Sequence, residues 1–142
     1  MVMEYNPKIP TLRPYIDPDN QGFWDGVREH RLVIQKCKDC GLVIHRPRPM
    51  CPRCLSTERE WTPSMGKGVI YAYVNVIYQN AGYPGIKAPY SVVVVEITEG
   101  VRILANLYDI EPEGVRIGTP VEICFDDIAD DLTLPKFKRL NS

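Results

Sequence analysis

The residues best placed to do chemistry are four cysteines in two pairs. Cys37-Lys38-Asp39-Cys40 and Cys51-Pro52-Arg53-Cys54 are C-x2-C motifs separated by ten residues. Each motif sets two sulfurs on one side of a tight turn, and two such turns face to face make a tetrahedral four-sulfur site for Zn2+. Gly41 supplies backbone freedom after the first turn, whereas the second ends in Leu55, which is less suited to that geometry. Pro52 presets φ inside the second turn. Four thiolates close the coordination sphere and leave no position for water, so the expected zinc is structural and not catalytic. Disulfides are disfavoured in a reducing compartment, and a redox C-x2-C needs one pair beside a βαβ pattern.

Other chemistry is sparse. The chain has two histidines, His30 and His45, and neither suggests a Ser-His-Asp or Cys-His arrangement. His45 reads as a surface side chain between the knuckles. Cys124, in Val121-Glu122-Ile123-Cys124-Phe125, falls by strand alternation on the face opposite Val121, Ile123 and Phe125, beside Glu122. No phosphate-loop or dinucleotide glycine pattern is present. Asp126, Asp127, Asp130 and Asp131 lack the spacing of a calcium loop and read as an acidic connection.

The elements that must position the cysteines follow from local pattern. Residues 1–16 are punctuated by prolines and read as extended. A short helix is expected near Asn20 to His30, capped by Asp19 or Asn20, with Phe23, Trp24 and Val27 on or bordering one face. Leu32–Gln35 and Leu42–His45 read as ribbon strands flanking the first knuckle. Val69–Tyr78, Tyr90–Ile97, Val101–Leu107, Val121–Phe125 and Leu132–Phe137 read as five further strands, rich in β-branched and aromatic residues. Thr98-Glu99-Gly100 makes a tight hairpin, and Glu111–Gly118 holds at most one helical turn. Five strands with a short connection after the third are the order of an OB-type barrel, with an SH3-like barrel as competitor. The fold class is therefore mainly β, in three parts: residues 1–31 as extended segment and helix, 32–62 as zinc ribbon, 63–142 as OB-fold domain. Residues 79–89 mix Gly, Pro, Tyr and Lys in a loop long for a hairpin, readable as a recognition loop or as solvated chain.

Charge is uneven along the chain. The formal net charge is −1, yet residues 28–59 carry eight basic and three acidic groups, and residues 60–142 carry seven basic and eleven acidic. The acidic barrel half argues against a polyanion lying across it. No run of apolar residues reaches membrane-spanning length and no signal core opens the chain, so the expected address is the cytoplasm.

The order of these features resembles a known family. Phe23-Trp24-Asp25-Gly26-Val27-Arg28, Cys37-Lys38-Asp39-Cys40-Gly41, Arg46-Pro47-Arg48-Pro49-Met50-Cys51-Pro52-Arg53-Cys54, Gly66-Lys67-Gly68-Val69-Ile70-Tyr71 and Arg116-Ile117-Gly118-Thr119-Pro120-Val121 carry the resemblance, which runs from about Phe23 to Phe137. The family was once called domain of unknown function thirty-five: acyl-CoA-associated proteins with a rubredoxin-like zinc ribbon and an OB-fold. His30, where the family often has glycine, and Leu55 are departures that bear on turn geometry.

The resemblance implies a non-catalytic accessory or scaffold subunit that binds acyl-CoA and assembles with a thiolase or thiolase-like enzyme. It also implies a possible bridge to hydroxymethylglutaryl-CoA synthase, and hence a hetero-oligomer. The candidate ligand- or partner-binding residues are Phe23, Trp24, Tyr83 and Tyr90 as aromatic surface, with Arg46, Arg48, Lys87, Lys136 and Arg139 for phosphates. The competing readings are a nucleic-acid-binding zinc-ribbon and OB module, or an enzyme in its own right such as a thioesterase or aldolase.

Overall fold

The computed structural model describes residues 13–78 and 87–140. The expected extended segment before Arg13, and the 79–86 part of the long loop with Tyr83, lie outside the described residues.

Helix α1 spans Gln21–Arg28 and buries Phe23, Gly26 and Val27. Asn20 stands at its N-cap, but the expected side-chain cap is not made. Instead Asn20 Oδ1 accepts the Asp17 amide, while Asp17 Oδ1 accepts the amides of Asp19 and Asn20, each at 2.9 Å. The two side chains satisfy the turn that delivers the helix instead of the helix itself. At the other end His30 takes φ 58°, the left-handed conformation in which glycine is most at ease. Its ring compensates by stacking on Phe125 at 5.3 Å and meeting Asp127 Oδ1 at 3.0 Å.

The ribbon is a three-stranded sheet in the order β2-β1-β3, with β1 at Val33–Cys37, β2 at Val43–Ile44 and β3 at Arg59–Pro63. The sequence reading missed β3. Its Arg59-Glu60-Trp61-Thr62-Pro63 alternates without an apolar core face, and it is a strand because β1 needs a partner on its second edge. Trp61 of β3 lies against α1, where a Cβ on Gly22 would stand 2.2 Å from the indole, so only glycine lets helix and ribbon close.

The barrel contains β4 (Lys67–Val76), β5 (Tyr90–Ile97), β6 (Arg102–Leu107), β7 (Pro120–Ala129) and β8 (Leu132–Arg139). It closes in the order β4-β5-β6-β8-β7, with β7 returning to β4 through Gly68 opposite Val121. Strand β6 runs parallel to β8 and the other pairings are antiparallel. This is the OB arrangement and not an SH3-like one. Strand β5 alternates strictly, with Ser91, Val93, Val95 and Ile97 inside, so its register is fixed by which face is buried. The expected acidic connection is largely strand: Asp126 and Asp127 continue β7, and only Asp130 and Asp131 turn the hairpin. Pairing with Leu134 and Thr133 outweighs the low β-propensity of aspartate there.

The core runs from α1 through the ribbon into the barrel, linking Phe23, Val27 and Ile34 to Ile70, Val95, Ile103 and Phe137. Where the chain crosses from ribbon to barrel, Glu99 in the β5–β6 turn clasps it, accepting the Met65 amide and the Ser64 hydroxyl, both at 2.9 Å. Partial burial opposes ionisation of Glu99, but those hydrogen bonds outweigh it and hold the carboxyl below its usual range.

Candidate functional site

The two knuckles are near copies. Gly41 N donates to Cys37 O and Leu55 N to Cys51 O, both at 3.0 Å; Cys37 N reaches Leu42 O and Cys51 N reaches Ser56 O. Gly41 and Leu55 take φ of 77° and 66°. Leu55 thus adopts the glycine conformation, held there by the same backbone bonds. All four sulfurs lie within 4.8 Å of one another, with Cys37–Cys54 at 3.5 Å and Cys40–Cys51 at 3.6 Å. Four thiolates at a Zn–S distance of about 2.3 Å stand roughly 3.8 Å apart in a tetrahedron, so the donor set fits Zn2+. The Leu42 amide lowers the Cys40 thiol to about 6 against the opposing effect of desolvation, and Arg53 adds to the lowering. Arg53 also donates to Cys40 O at 2.7 Å. The ion's chemistry here is that of a cross-link between knuckles.

Between the knuckles the chain forms a platform over the barrel. Gln35, buried on β1, donates to Arg48 O at 3.0 Å and accepts the Arg48 amide at 2.9 Å. Arg59 of β3 donates to the same carbonyl at 2.6 Å and pairs with Asp19 at 3.2 Å. The loop carrying Arg46 and Arg48 is thereby tied to the ribbon and to the helix lead-in, while both arginines stay exposed and neither guanidinium has a partner among the described residues.

Under this loop lies a cleft of about 540 Å3 between helix, ribbon and barrel. Phe23, Trp24, His45, Arg46, Ile103, Leu104 and Pro135 line it, with Asp17, Asp19 and Asn20 along the helix lead-in. Phe23 and Trp24 meet edge to face at 5.2 Å, and Phe23 lies 5.6 Å from the His45 ring. On the far side of His45 a second hollow of about 370 Å3 is lined by Arg48, Glu96, Val101 and Arg102. His45 is therefore not the surface side chain expected. Its Nδ1 is buried without a hydrogen-bond partner, and burial, with the neighbouring Arg46 charge, lowers its pKa to about 4. The position could have been flagged by its setting, a histidine directly before a proline-arginine platform, but burial by a remote helix is not written in local sequence.

The structure thus gathers Phe23, Trp24 and Arg46 in one cleft and sets Arg48 in the adjoining hollow. The other candidates stand elsewhere. Lys87 is exposed before β5, Tyr90 is half-buried at its start opposite Val76, and Arg139 is exposed at the end of β8. Lys136 departs from the expected surface role: its side chain is 1% exposed, and its ammonium pairs with Asp126 at 2.5 Å. It belongs to β8 opposite Cys124, so its aliphatic stem is enclosed between strands. Burial raises the Cys124 thiol to about 11, the nearby lysine charges opposing this only in part, which disfavours the thiolate that a nucleophile needs.

Comparisons with known proteins agree with this architecture. Residues 24–60 match the ChsH2 rubredoxin-like zinc ribbon domain and residues 61–126 the ChsH2 C-terminal OB-fold domain. The chain is 36% identical over 135 residues to a probable enoyl-CoA hydratase alpha subunit of Thermomonospora curvata, covering 95% of this chain and 42% of that protein. It is 36% identical over 110 residues to a DUF35 domain-containing scaffold protein of Methanocaldococcus jannaschii, covering 76% and 77% of the two chains. It is 29% identical over 130 residues to the benzoylsuccinyl-CoA thiolase subunit BbsA of Thauera aromatica, covering 86% and 87%. The solved Ltp2-ChsH2(DUF35) aldolase superposes with a TM-score of 0.84 at 36% identity, covering 89% of this chain and 98% of that one. The chain spans about two fifths of the length of the hydratase subunits it matches. From its four-cysteine ribbon to its closed barrel, the chain belongs to the ChsH2 family of zinc-ribbon and OB-fold proteins, formerly DUF35.

Proposed function

We propose that this protein is a non-catalytic accessory subunit that binds acyl-CoA and assembles with a thiolase- or aldolase-type enzyme. The observation that carries the reading is the cleft at the ribbon–barrel seam, where two arginines without partners among the described residues flank a hollow with aromatic and apolar walls, Asp17 and Asp19 standing on its helix lead-in side. CoA offers phosphates to guanidinium groups, an adenine to an aromatic edge, and a narrow arm to an apolar channel. Relatives named as scaffold proteins and as hydratase, thiolase and aldolase subunits support the assembly. On this reading the reacting groups belong to the partner. A bridging role toward hydroxymethylglutaryl-CoA synthase and a cytoplasmic address extend the same reading; no helix among the described residues is long and apolar enough to cross a membrane.

The nucleic-acid alternative gains nothing from the barrel. On the outer face of β5 and β6 the one basic side chain, Arg102, is neutralised by Glu96 at 3.1 Å. The test is affinity purification of the full chain from native extract, with calorimetric titration of the purified protein against acetyl-CoA and CoA. The expected result is co-purification of a thiolase- or aldolase-type enzyme and saturable CoA binding weakened by Arg46→Ala with Arg48→Ala. Turnover of an acyl-CoA by the isolated chain, or a partner enzyme fully active and coupled without it, would overturn the reading.

A further inference from the structure

The barrel wears its apolar residues on the outside of one sheet. Cross-strand register sets three outward rows over β4, β5 and β6: Val69, Glu96 and Arg102; Ala72, Val94 and Leu104; Val74, Val92 and Asn106. Tyr71 sits at the bulge in β4 between the first two rows, with the Arg102 guanidinium 3.7 Å above its ring. Val69, Tyr71, Val74 and Leu104 are 41%, 46%, 63% and 55% exposed. A strand face that alternates outward polar residues is the norm when one side meets water. Here six of the nine outward row positions are apolar, and contiguous exposed patches of this kind mark interaction sites.

Two features identify what covers it. Within the three rows the charged groups are Glu96 and Arg102, which cancel, and the guanidinium is already stacked on Tyr71; Lys67, exposed at the start of β4, stands at the edge. One edge lysine falls short of the positive charge that a polyanion or an anionic bilayer would need, so the face matches an apolar protein surface. The face is also continuous with the cleft: Leu104 belongs to both, and Arg102 to both the face and the adjoining hollow. Whatever seats on the sheet reaches the mouth of the ligand site.

We infer that the outer face of β4, β5 and β6 is the surface that docks the acyl-CoA-processing enzyme subunit, with Val94 at its centre, Val74 and Leu104 beside it and the Glu96–Arg102 pair at its rim. This rests on the accessory-subunit reading above and divides the molecule's labour: the seam cleft holds the ligand, the sheet holds the enzyme. The outward side chains lie off the core, so substitution there leaves the fold intact.

The experiment takes the thiolase- or aldolase-type subunit that co-purifies with the full chain, purifies it, and measures its affinity for wild type, Val69→Lys, Val74→Lys and a control, Ile117→Lys, outside the sheet. Thermal melting and zinc content verify folding, and acetyl-CoA titration verifies the cleft. The expected result is a loss of enzyme affinity of about tenfold or more for Val69→Lys and Val74→Lys, because each buries an unpaired ammonium in an apolar contact. The control and the CoA affinity of all variants should stay unchanged. Enzyme affinity that survives both substitutions overturns this inference alone. Dispersal of a self-associated wild type by Val74→Lys, with enzyme binding intact, overturns it in favour of a homodimer face. A wild-type chain that binds no such enzyme overturns the accessory-subunit reading, and this one with it.

Discussion

Gln35 holds Arg48 by its backbone alone, through a paired amide contact from inside the ribbon sheet, and leaves the guanidinium free. A buried side chain thus does for the arginine loop what a strand neighbour would do. Gln35→Leu keeps the volume and removes both bonds. The Arg48 carbonyl retains Arg59, but its amide is stranded. The variant should lose about 2 kcal/mol in urea unfolding, and the Arg48 amide should exchange with solvent much faster while the β1–β3 amides remain protected.

Leu55 occupies a position that its symmetry mate fills with glycine. A left-handed conformation costs an L-residue about 1–2 kcal/mol, partly offset by the greater unfolded freedom of glycine. Leu55 is largely exposed, so little burial is lost on replacement. Leu55→Gly should therefore stabilise the protein by about 0.5–1 kcal/mol in urea melts. A destabilised variant would show that the leucine side chain has a packing role.

The ribbon should bind one zinc per chain, read by elemental analysis of protein purified without added metal. Chelation, or Cys51→Ser, should unfold the ribbon, because binding of structural zinc is itself folding free energy, about 10 kcal/mol or more in isolated ribbons. The Trp61 and Trp24 fluorescence should shift together, since α1 loses its footing on β3.

Lys136 and Asp126 form a pair in which the lysine is enclosed. Asp126→Ala should cost about 3 kcal/mol, because it leaves a buried ammonium without that partner. Adding Lys136→Met should restore most of the loss, to within about 1 kcal/mol of wild type in thermal melts. If the double variant is no better than the single, the pair owes its place to something other than mutual neutralisation.

His45 gives the protein an acid limit. Its folded pKa of about 4 lies below that of an unfolded histidine near 6.5. The unfolded chain thus takes up a proton at this site that the folded chain refuses. The associated stability is complete above pH 6.5 and is lost as the pH falls toward about 4. A ring NMR titration should place His45 well below a peptide histidine. His45→Phe should flatten the fall of the melting temperature between pH 6.5 and 4 relative to wild type.

Much of this was legible in the sequence because it was local or strongly periodic. The doubled C-x2-C located the metal site, and the β-branched run Tyr90–Ile97 gave one barrel strand with its observed bounds. What was illegible depended on partners far along the chain. β3 has no apolar signature and exists as an edge to β1. Lys136 looks like any surface lysine until β7 brings Asp126 over it, and His45 until α1 brings Phe23 against it. The seam cleft is built from residues 14–24, 45–47, 103–104 and 135, a set no local pattern unites. Motif resemblance supplied candidates of the right chemical type, and only tertiary structure separated Arg46 from Lys136.

The clasp of Glu99 on Ser64 and Met65 has a consequence for how a ligand would be handed over. The crossing from ribbon to barrel is short and pinned at its midpoint by two hydrogen bonds, so it does not act as a leash. If the seam holds a thioester as proposed, it would be presented to a partner seated on the sheet at a distance and angle set by the fold. Its effective concentration at that neighbour is governed by geometry, with no loss to the sweep of a flexible arm.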